Sequence, residues 1–338
     1  MSKGKYMKRF LFCLLFCALL ISCGNKAITD DCGCFLDYDQ AISYASKKNK
    51  PMLVFFTSAG DDEESTVLVN SIMKNASFKK EIASEYVVLH VDFSQDAFQK
   101  TVAADDATAQ EQELANTYTN ILQNNYKLAI LFNISQMPGI FLCTSQGYVV
   151  TRLDSDTIFT NLTDLKKSLA ANKSELNRFN SYVAATNKGS SVKKIEAIDT
   201  LYNATDSDYK SFLYPLVKYA CELDPQNESG LLGKFIFAQA EIEAIFAYSQ
   251  GDVENAVKIY LVAANNQYVK AEQKQECFFN AAYLIAYSDT DDYEGIISYL
   301  QTAYDIAPQS SKAESIKAAI EYFETVLEKS ADYDGDEE

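Results

Sequence analysis

The sequence predicts two folded regions, an α/β domain in the first half of the chain and an all-helical domain in the second. In the first half, short apolar runs of β-branched and aromatic residues, at 51–56 and 86–93, alternate with segments of helical periodicity. From Ser174 onward glycine and proline are sparse, and the alternation typical of strands is lost. A basic and then apolar N-terminal segment precedes both regions and predicts export.

The predicted strand at 51–56 leads into a helix with an acidic first turn. Residues 61–64 are all acidic, and behind them the apolar residues recur at helical spacing: Leu68, Ile72 and Met73. Carboxylates in a first turn accept hydrogen bonds from free backbone N–H groups and interact favourably with the helix dipole. The acidic turn therefore has a structural interpretation that needs no catalysis.

This order of elements resembles the thioredoxin-like proteins of the bacterial envelope and cytosol. The resemblance rests on Asn49–Phe56, a Lys-Pro pair running into a strand, and on Leu128–Leu142, which is similar to the family's helix, turn and proline-led strand. It implies a thioredoxin-like domain over 37–173 and a cis-proline at Pro138, facing the active-site turn. An insertion over 97–125 either covers that site or lengthens the helix before Pro138.

In the family that the chain resembles, the first strand runs into a Cys-x-x-Cys turn. Anchoring the register on the apolar face of the helix places the two cysteine positions at Asp62 and Ser65. Anchoring it on Phe56 gives Asp61 and Glu64 instead. Thiol–disulfide exchange needs a thiolate, so neither register supports it at this turn. We expect a degenerate turn without catalytic residues, made of Asp61, Asp62, Glu63, Glu64 and Ser65.

The sequence predicts no metal site and no cofactor. His90 is the only histidine and lies within the predicted strand at 86–93, so we interpret it as structural. A Ser-His or Cys-His pair would need it, and no nucleophile in a typical motif lies near it in sequence. Alternate acids of 61–64 point apart on a helix, and no second acidic cluster accompanies them.

The N-terminus predicts a lipoprotein signal peptide over 1–22. Four basic residues precede the apolar stretch 10–21, which is too short to span a bilayer as a mature helix. The following Leu20–Gly24 resembles the lipobox of bacterial lipoproteins, which implies cleavage before Cys23 and lipid on its sulfur. We expect an exported protein anchored in the bacterial cell envelope, at the periplasmic face or the outer membrane, through a tether at 23–36.

The charge argues against nucleic acid as a partner. The formal net charge is −17, and removing the first 22 residues takes away four basic residues and no acids, which gives −17 − 4 = −21. Such a surface repels phosphate backbones unless it carries a local basic patch, and the sequence has no extended basic run. The acidic tail at 331–338 is interpreted as a solvated end.

Five of the eight cysteines remain after Cys13, Cys17 and the lipidated Cys23 are set aside. An odd number leaves at least one thiol free or paired between chains. Cys32 and Cys34 flank a glycine and are either a small redox couple or members of a structural disulfide to another part of the domain. The sequence favours the structural disulfide, because no cation is adjacent to lower the pKa of the pair. The other three lie in apolar patterns and are expected to be buried: Cys143, Cys221 and Cys277.

The second half predicts eight helices within a domain at 174–330. The predicted segments are 175–186, 192–202, 208–223, 231–249, 253–265, 272–287, 293–306 and 312–329. The pattern of Gly251, Ala256, Tyr260 and Ala263 resembles the second helix of tetratricopeptide repeats. The resemblance implies a degenerate array of paired helices whose tyrosines partly line a groove; an irregular helical bundle is the alternative.

These features predict a membrane-anchored envelope protein that binds or scaffolds other envelope proteins or peptides. The helical domain and the surface around Pro138 are the expected contact regions, since helical arrays present concave binding surfaces. The competing hypothesis is an enzyme, a thiol–disulfide oxidoreductase or isomerase that uses Cys32 and Cys34. A third is a structural lipoprotein without a defined partner.

Overall fold

The computed structural model describes residues 27–154, 159–288 and 292–334, with only the backbone described for 330–334. The chain divides into two compact units, one ending at Asn180 and the other beginning at Ser181. The predicted signal peptide at 1–22, Cys23 and the last four residues lie outside the described residues. Within the described ranges, no helix combines the length and apolar character needed to cross a membrane.

A four-stranded mixed sheet forms the centre of the first unit. Its strands are β1 (Met52–Thr57), β2 (Val87–Asp92), β3 (Gly139–Cys143) and β4 (Val149–Arg152). The spatial order is β2-β1-β3-β4; β1 and β2 are parallel, and the other two pairs are antiparallel. Every residue of β1 is buried, which accounts for its continuous apolar run. The sheet and its helices confirm the predicted α/β class.

The helices of the first unit are α1 (Tyr38–Lys48), α2 (Glu63–Val67), a π-helix (Leu68–Met73), α3 (Ala76–Glu81), α4 (Gln95–Gln99), α5 (Ala109–Leu131) and α6 (Leu162–Ala171). Helix α5 begins with a capping box in which Thr108 and Glu111 bind each other's backbone N–H groups. The helix covers most of the predicted insertion at 97–125 and continues past it. The insertion therefore lengthens the helix that leads toward Pro138.

Residues 28–36 belong to the folded domain, so the predicted tether at 23–36 is wrong for this part. The N–H of Phe35 donates to the carbonyl of Val88 (2.9 Å), and the N–H of His90 donates to the carbonyl of Phe35 (2.8 Å), beside β2. Cys34 is 1% exposed and joins the core of the sheet. The segment folds because it supplies hydrogen bonds to the open edge of β2 and buries apolar side chains there.

The second unit is entirely helical in its described residues. After α7 (Lys173–Ala185), in which the boundary falls, it contains α8 (Ser191–Ala204), a 3₁₀ helix (Ser207–Leu213), α9 (Tyr214–Leu223), α10 (Leu232–Ser249), α11 (Val253–Ala264), α12 (Ala271–Ala286), α13 (Tyr293–Ile306) and α14 (Ala313–Asp334). These correspond to the eight predicted segments, and from α8 onward each helix packs against the next. The predicted acidic tail at 331–338 begins inside α14, not after it.

Small residues let the helices of the second unit approach closely. Gly233 is required, since a Cβ there would lie 1.8 Å from the carbonyl oxygen of Tyr268. Ala256 and Ala263 of α11 are buried in the same way. The tyrosines divide between core and surface: Tyr260 is a core residue at 4% exposure, whereas Tyr287 is 74% exposed. Burial of this kind depends on helix rotation, which sequence spacing alone does not determine.

Candidate functional site

The acidic turn begins helix α2, and hydrogen bonds within the turn cap this helix. Asp62 is the N-cap, and its Oδ2 accepts a hydrogen bond from the N–H of Ser65 (2.6 Å). The hydroxyl of Thr66 donates to the carbonyl of Asp62 (2.7 Å) and accepts from the N–H of Gly60 (2.8 Å). Asp62 therefore holds the N-cap position of α2, and Ser65 lies in the first turn of the helix.

Exposure separates the residues of the turn. Asp61, Glu63 and Glu64 are exposed, whereas Ser65 is fully buried. The Oγ of Ser65 has no hydrogen-bond partner, which is costly for a buried hydroxyl. No group of three or more potential metal ligands occurs in the described part of the chain.

Replacing Ser65 with alanine is expected to stabilise the protein. The substitution removes a buried hydroxyl without a partner and changes the side-chain volume little, so the free energy of unfolding should rise by about 1 kcal/mol. Urea unfolding measures this, with Ser71→Ala, an exposed serine of the π-helix, as the control that should change little. A loss of stability in Ser65→Ala would show that the hydroxyl makes a stabilising hydrogen bond.

The Pro138 loop lies at the same end of the sheet as the acidic turn. The Met137–Pro138 peptide bond is cis, and the next residue, Gly139, pairs with Phe56 of β1. Because β1 and β3 are antiparallel, the start of β3 lies beside the end of β1, where the acidic turn begins. The guanidinium of Arg152 donates to the carbonyl of Pro138 (3.3 Å) and is held by Asp154 (3.0 Å).

Two exposed apolar side chains precede this loop. Ile130 and Leu131 occupy the last turn of α5 and are 78% and 43% exposed. The C-terminal residues of α5 therefore present an apolar surface next to the cis-proline loop, while the turn presents carboxylates.

A buried hydrogen-bonded chain that the sequence did not predict connects three elements of the first unit. His90 Nε2 lies 2.8 Å from Thr57 Oγ1, and His90 Nδ1 lies 2.8 Å from Asp30 Oδ2. Thr57 is fully buried, and the side chains of His90 and Asp30 are 7% and 15% exposed. The sequence does show a polar residue, Thr57, at the end of an otherwise apolar strand, which indicates a buried hydrogen bond there. Asp30 lies 60 residues before His90, so its pairing with His90 could be found only from the fold.

The turn that carries Cys32 and Cys34 wraps around the carboxylate of Asp30. Asp30 Oδ1 accepts from the N–H of Cys34 (2.8 Å). Burial would raise the pKa of Asp30, but the hydrogen bonds from His90 and from the N–H groups of the turn outweigh it, so this pKa is lowered. Asp30 is therefore held as a buried carboxylate between the turn and His90.

Both thiols of this turn have raised pKa values. For Cys34 the causes are burial and then the neighbouring Asp30; for Cys32 they are the same, with Lys74 acting in the opposite direction. The expectation that no cation is adjacent is wrong, because the ammonium of Lys79 also lies 3.6 Å from the position a Cβ on Gly33 would occupy. Folding brings these lysines from α3 and the turn before it.

The five cysteines among the described residues are free, so the structural disulfide that the sequence favoured for Cys32 and Cys34 is absent there. Cys143 and Cys277 are buried as expected, whereas Cys221 is only partly buried. Burial raises the pKa of Cys221 and of Cys277 to about 12. None of these thiols has the lowered pKa of a reactive cysteine.

In the second unit, one carboxyl group lies in an unusual environment. Burial first, and then the neighbouring Glu276, raise the pKa of Glu241 to about 7, although Lys210 and Lys312 oppose the shift. Lys312 is paired with Glu276, and Lys210 lies over the ring of Tyr202, 4.7 Å from its centroid. Both lysines near Glu241 of α10 therefore also contact other groups, and together they do not offset the effect of burial on the Glu241 pKa.

A separate cleft of about 370 Å³ lies between α10 and α11. Its apolar lining includes Ile236, Ile259 and Val262, and its polar lining includes Glu243 and Lys258. Val262 is 64% exposed. The cleft offers an apolar floor with charges of both signs at its side, which suits a peptide side chain.

The mixed sheet, the proline-led strand β3 and the helix that follows β1 define a thioredoxin-like domain, which is followed by an all-helical domain. The family described as "Thioredoxin-like domain" matches residues 38–167. A second family, described as "Uncharacterised protein C-terminal domain", matches residues 231–329 of the helical region.

One relative is an "Uncharacterized protein" of Treponema pallidum (strain Nichols), 25% identical over 201 residues. The matched region covers 59% of this chain and 66% of that protein, so the match spans just under two thirds of the relative's length. Among solved structures, a "DsbH Oxidoreductase" is similar at 16% identity, covering 45% of this chain and 95% of the other, with a TM-score of 0.30. A similarity of that size supports no functional conclusion.

Proposed function

We propose that this protein is a lipid-anchored envelope protein whose thioredoxin-like domain binds a partner protein instead of exchanging thiols. The observation that supports this most is the acidic turn. Asp62 caps α2 and the buried Ser65 occupies its first turn, so both positions of the expected dithiol hold side chains that cannot form a thiolate.

The partner surface that we propose joins the acidic turn to the Pro138 loop. The exposed carboxylates of Asp61, Glu63 and Glu64 supply negative charge, and Ile130 and Leu131 supply exposed apolar area. The chemistry that fits is a segment with basic and apolar side chains, since complementary charge steers association and apolar burial supplies affinity. This surface does not suit nucleic acid, whose backbone it would repel.

The helical domain is proposed as a second contact region for other envelope proteins or peptides. The cleft between α10 and α11 and the exposed side chains of Ile245 and Phe246, 64% and 67% exposed, support this. Two contact regions on one chain would allow it to hold partners together, which is the scaffolding role.

Export and lipid anchoring at Cys23 are part of the proposal and rest on the N-terminal sequence. Labelling growing cells with a radioactive fatty acid should mark the wild-type protein and leave Cys23→Ala unlabelled. Equal labelling of the two proteins would contradict the anchor.

Photocrosslinking tests the proposed partner surface. A photoreactive amino acid at Ile130 should yield discrete adducts with envelope proteins, and combining it with Glu63→Lys and Glu64→Lys should weaken them by reversing the charge. Leu114, another exposed residue of α5 at 52% exposure, is the matched control position. The same adducts at both positions, or adducts unaffected by the charge reversal, would argue against this surface.

The oxidoreductase hypothesis has weaker support. A turnover enzyme needs a thiol with a low pKa, and the pKa values of Cys32 and Cys34 are both raised. Cys34 is also almost inaccessible, at 1% exposure. We therefore keep binding as the proposed function.

A further inference from the structure

We propose that Cys32 and Cys34 form a redox-modification site, in which their oxidation to an intramolecular disulfide changes the buried chain of Asp30, His90 and Thr57. Stoichiometric oxidation of this kind needs no turnover and does not depend on the proposed binding function. It is argued from the packing of the two thiols, the charges around them and the contacts of Asp30.

The two cysteines are placed to reach each other. Both side chains pack against the same core cluster of the sheet, and Gly33 curls the turn with a φ of +80°. The N–H of Gly33 donates to the carbonyl of Asp30 (3.0 Å), which tightens the turn. Two residues that are separated by one other residue have Cα atoms at most about 7 Å from each other when the chain is extended. A curled turn shortens this distance, which brings it into the range that a disulfide bridges.

The two thiols differ in their exposure to solvent, and this difference determines which of them reacts first. Cys32 is partly exposed, and Lys74 acts on its thiol, whereas Cys34 is 1% exposed. Lys74 favours the thiolate of Cys32 against its burial and the charge of Asp30. Cys32 is therefore the residue that an external oxidant meets, and Cys34 is the resolving residue.

The oxidant is a low-molecular-weight disulfide such as oxidised glutathione. The thiolate of Cys32 attacks one sulfur, forms a mixed disulfide and releases one small thiolate. The sulfur of Cys34 then attacks Cys32 Sγ and releases the second small thiolate, which takes up the proton that Cys34 gives up. Two electrons and two protons leave the cysteines, and the oxidant becomes two small thiols.

Asp30 links the state of the two cysteines to His90, because its carboxylate contacts both Cys34 and His90. In the reduced turn, the N–H of Cys34 donates to Oδ1 of its carboxylate (2.8 Å), and Oδ2 lies 2.8 Å from His90 Nδ1. Forming the disulfide moves Cys34 Sγ toward Cys32 and shifts the turn, and with it the N–H of Cys34 that binds Asp30. The hydrogen bond between Asp30 and His90 must then readjust, and with it the contact to Thr57.

The test uses the chain from Gly24 to Glu338, which contains every described residue, incubated with oxidised or reduced glutathione. Tryptic peptide Ala27–Lys47 contains Cys32 and Cys34 and no other cysteine, so mass spectrometry of it reports their state. His90 is the only histidine, so its ring Cε1–H gives a single proton NMR resonance. Cys32→Ser is the control, because it removes the accessible thiol and leaves Cys34 in the core.

We expect the oxidised wild-type peptide to lose two hydrogens and the His90 resonance to shift at constant pH, both reversed by dithiothreitol. In Cys32→Ser neither change should occur on oxidation. A peptide that keeps two free thiols or carries only glutathione adducts overturns the proposal. So does a disulfide that leaves the His90 resonance in place, or a shift that persists in Cys32→Ser.

Discussion

Replacing Asp62 and Ser65 together with cysteine is expected to convert the chain into a disulfide reductase. The N-terminus of α2 would lower the pKa of a thiol at 62, and the buried first-turn position at 65 would hold the second thiol. In a background of Cys32→Ser and Cys34→Ala, insulin turbidity with dithiothreitol should rise from the reductant blank to clear turnover.

The matched control is Asp61→Cys with Glu64→Cys in the same background. This pair represents the other register, and both residues are exposed, so the second thiol would not be sheltered and activity should remain at the blank. Equal activity of the two pairs would remove the basis for preferring the Asp62/Ser65 register. If Asp62→Cys with Ser65→Cys folds but shows no turnover, two thiols at these positions are not sufficient for disulfide reductase activity.

The second large effect is expected at Glu241 and concerns the pH dependence of stability. Its pKa is raised to about 7 from a usual value of 4.5, so the folded state binds the proton more tightly than the unfolded chain. Its contribution is most favourable below pH 4.5, declines as the pH rises toward 7 and is lost above 7. The decline is on the order of 3–4 kcal/mol, at about 1.4 kcal/mol per pKa unit.

Glu241→Gln should remove this decline, because glutamine stays neutral at every pH. Urea unfolding of the wild type and the variant between about pH 5 and pH 8.5 measures it, and the variant should be the more stable protein at the upper end. Glu254→Gln, an exposed residue of α11, is the control that should follow the wild type. Parallel curves for the wild type and Glu241→Gln would show that the Glu241 carboxylate is solvated.

The elements were largely predictable because each depends on local pattern. The strands near 52–57 and 87–92 are runs of mostly apolar residues, and the eight helices of the second half are bounded by turn residues such as Gly251, which has a φ of +79°. The tether was mispredicted because residues 28–36 gain their structure from the edge of β2, a contact that no local pattern encodes.

The candidate site could be predicted only in part. The absence of cysteine from 61–65 is a property of the sequence, and it excludes thiol exchange at that turn wherever the turn lies. The hydrogen bond from the N–H of Ser65 to Asp62 depends on where α2 begins, which the sequence alone did not determine. The environment of Glu241 likewise depends on residues from other helices.

The sequence by itself determined the two-part architecture, the acidity of the chain and the absence of cysteine from 61–65, because periodicity, charge and residue type are local quantities. Only the tertiary structure decided that Asp30, His90 and Thr57 form one buried chain and that Cys32 and Cys34 close around its carboxylate. The burial and the hydrogen bonds of these side chains arise between segments that are distant along the chain. That burial and those hydrogen bonds set the pKa values on which any chemistry at this site depends.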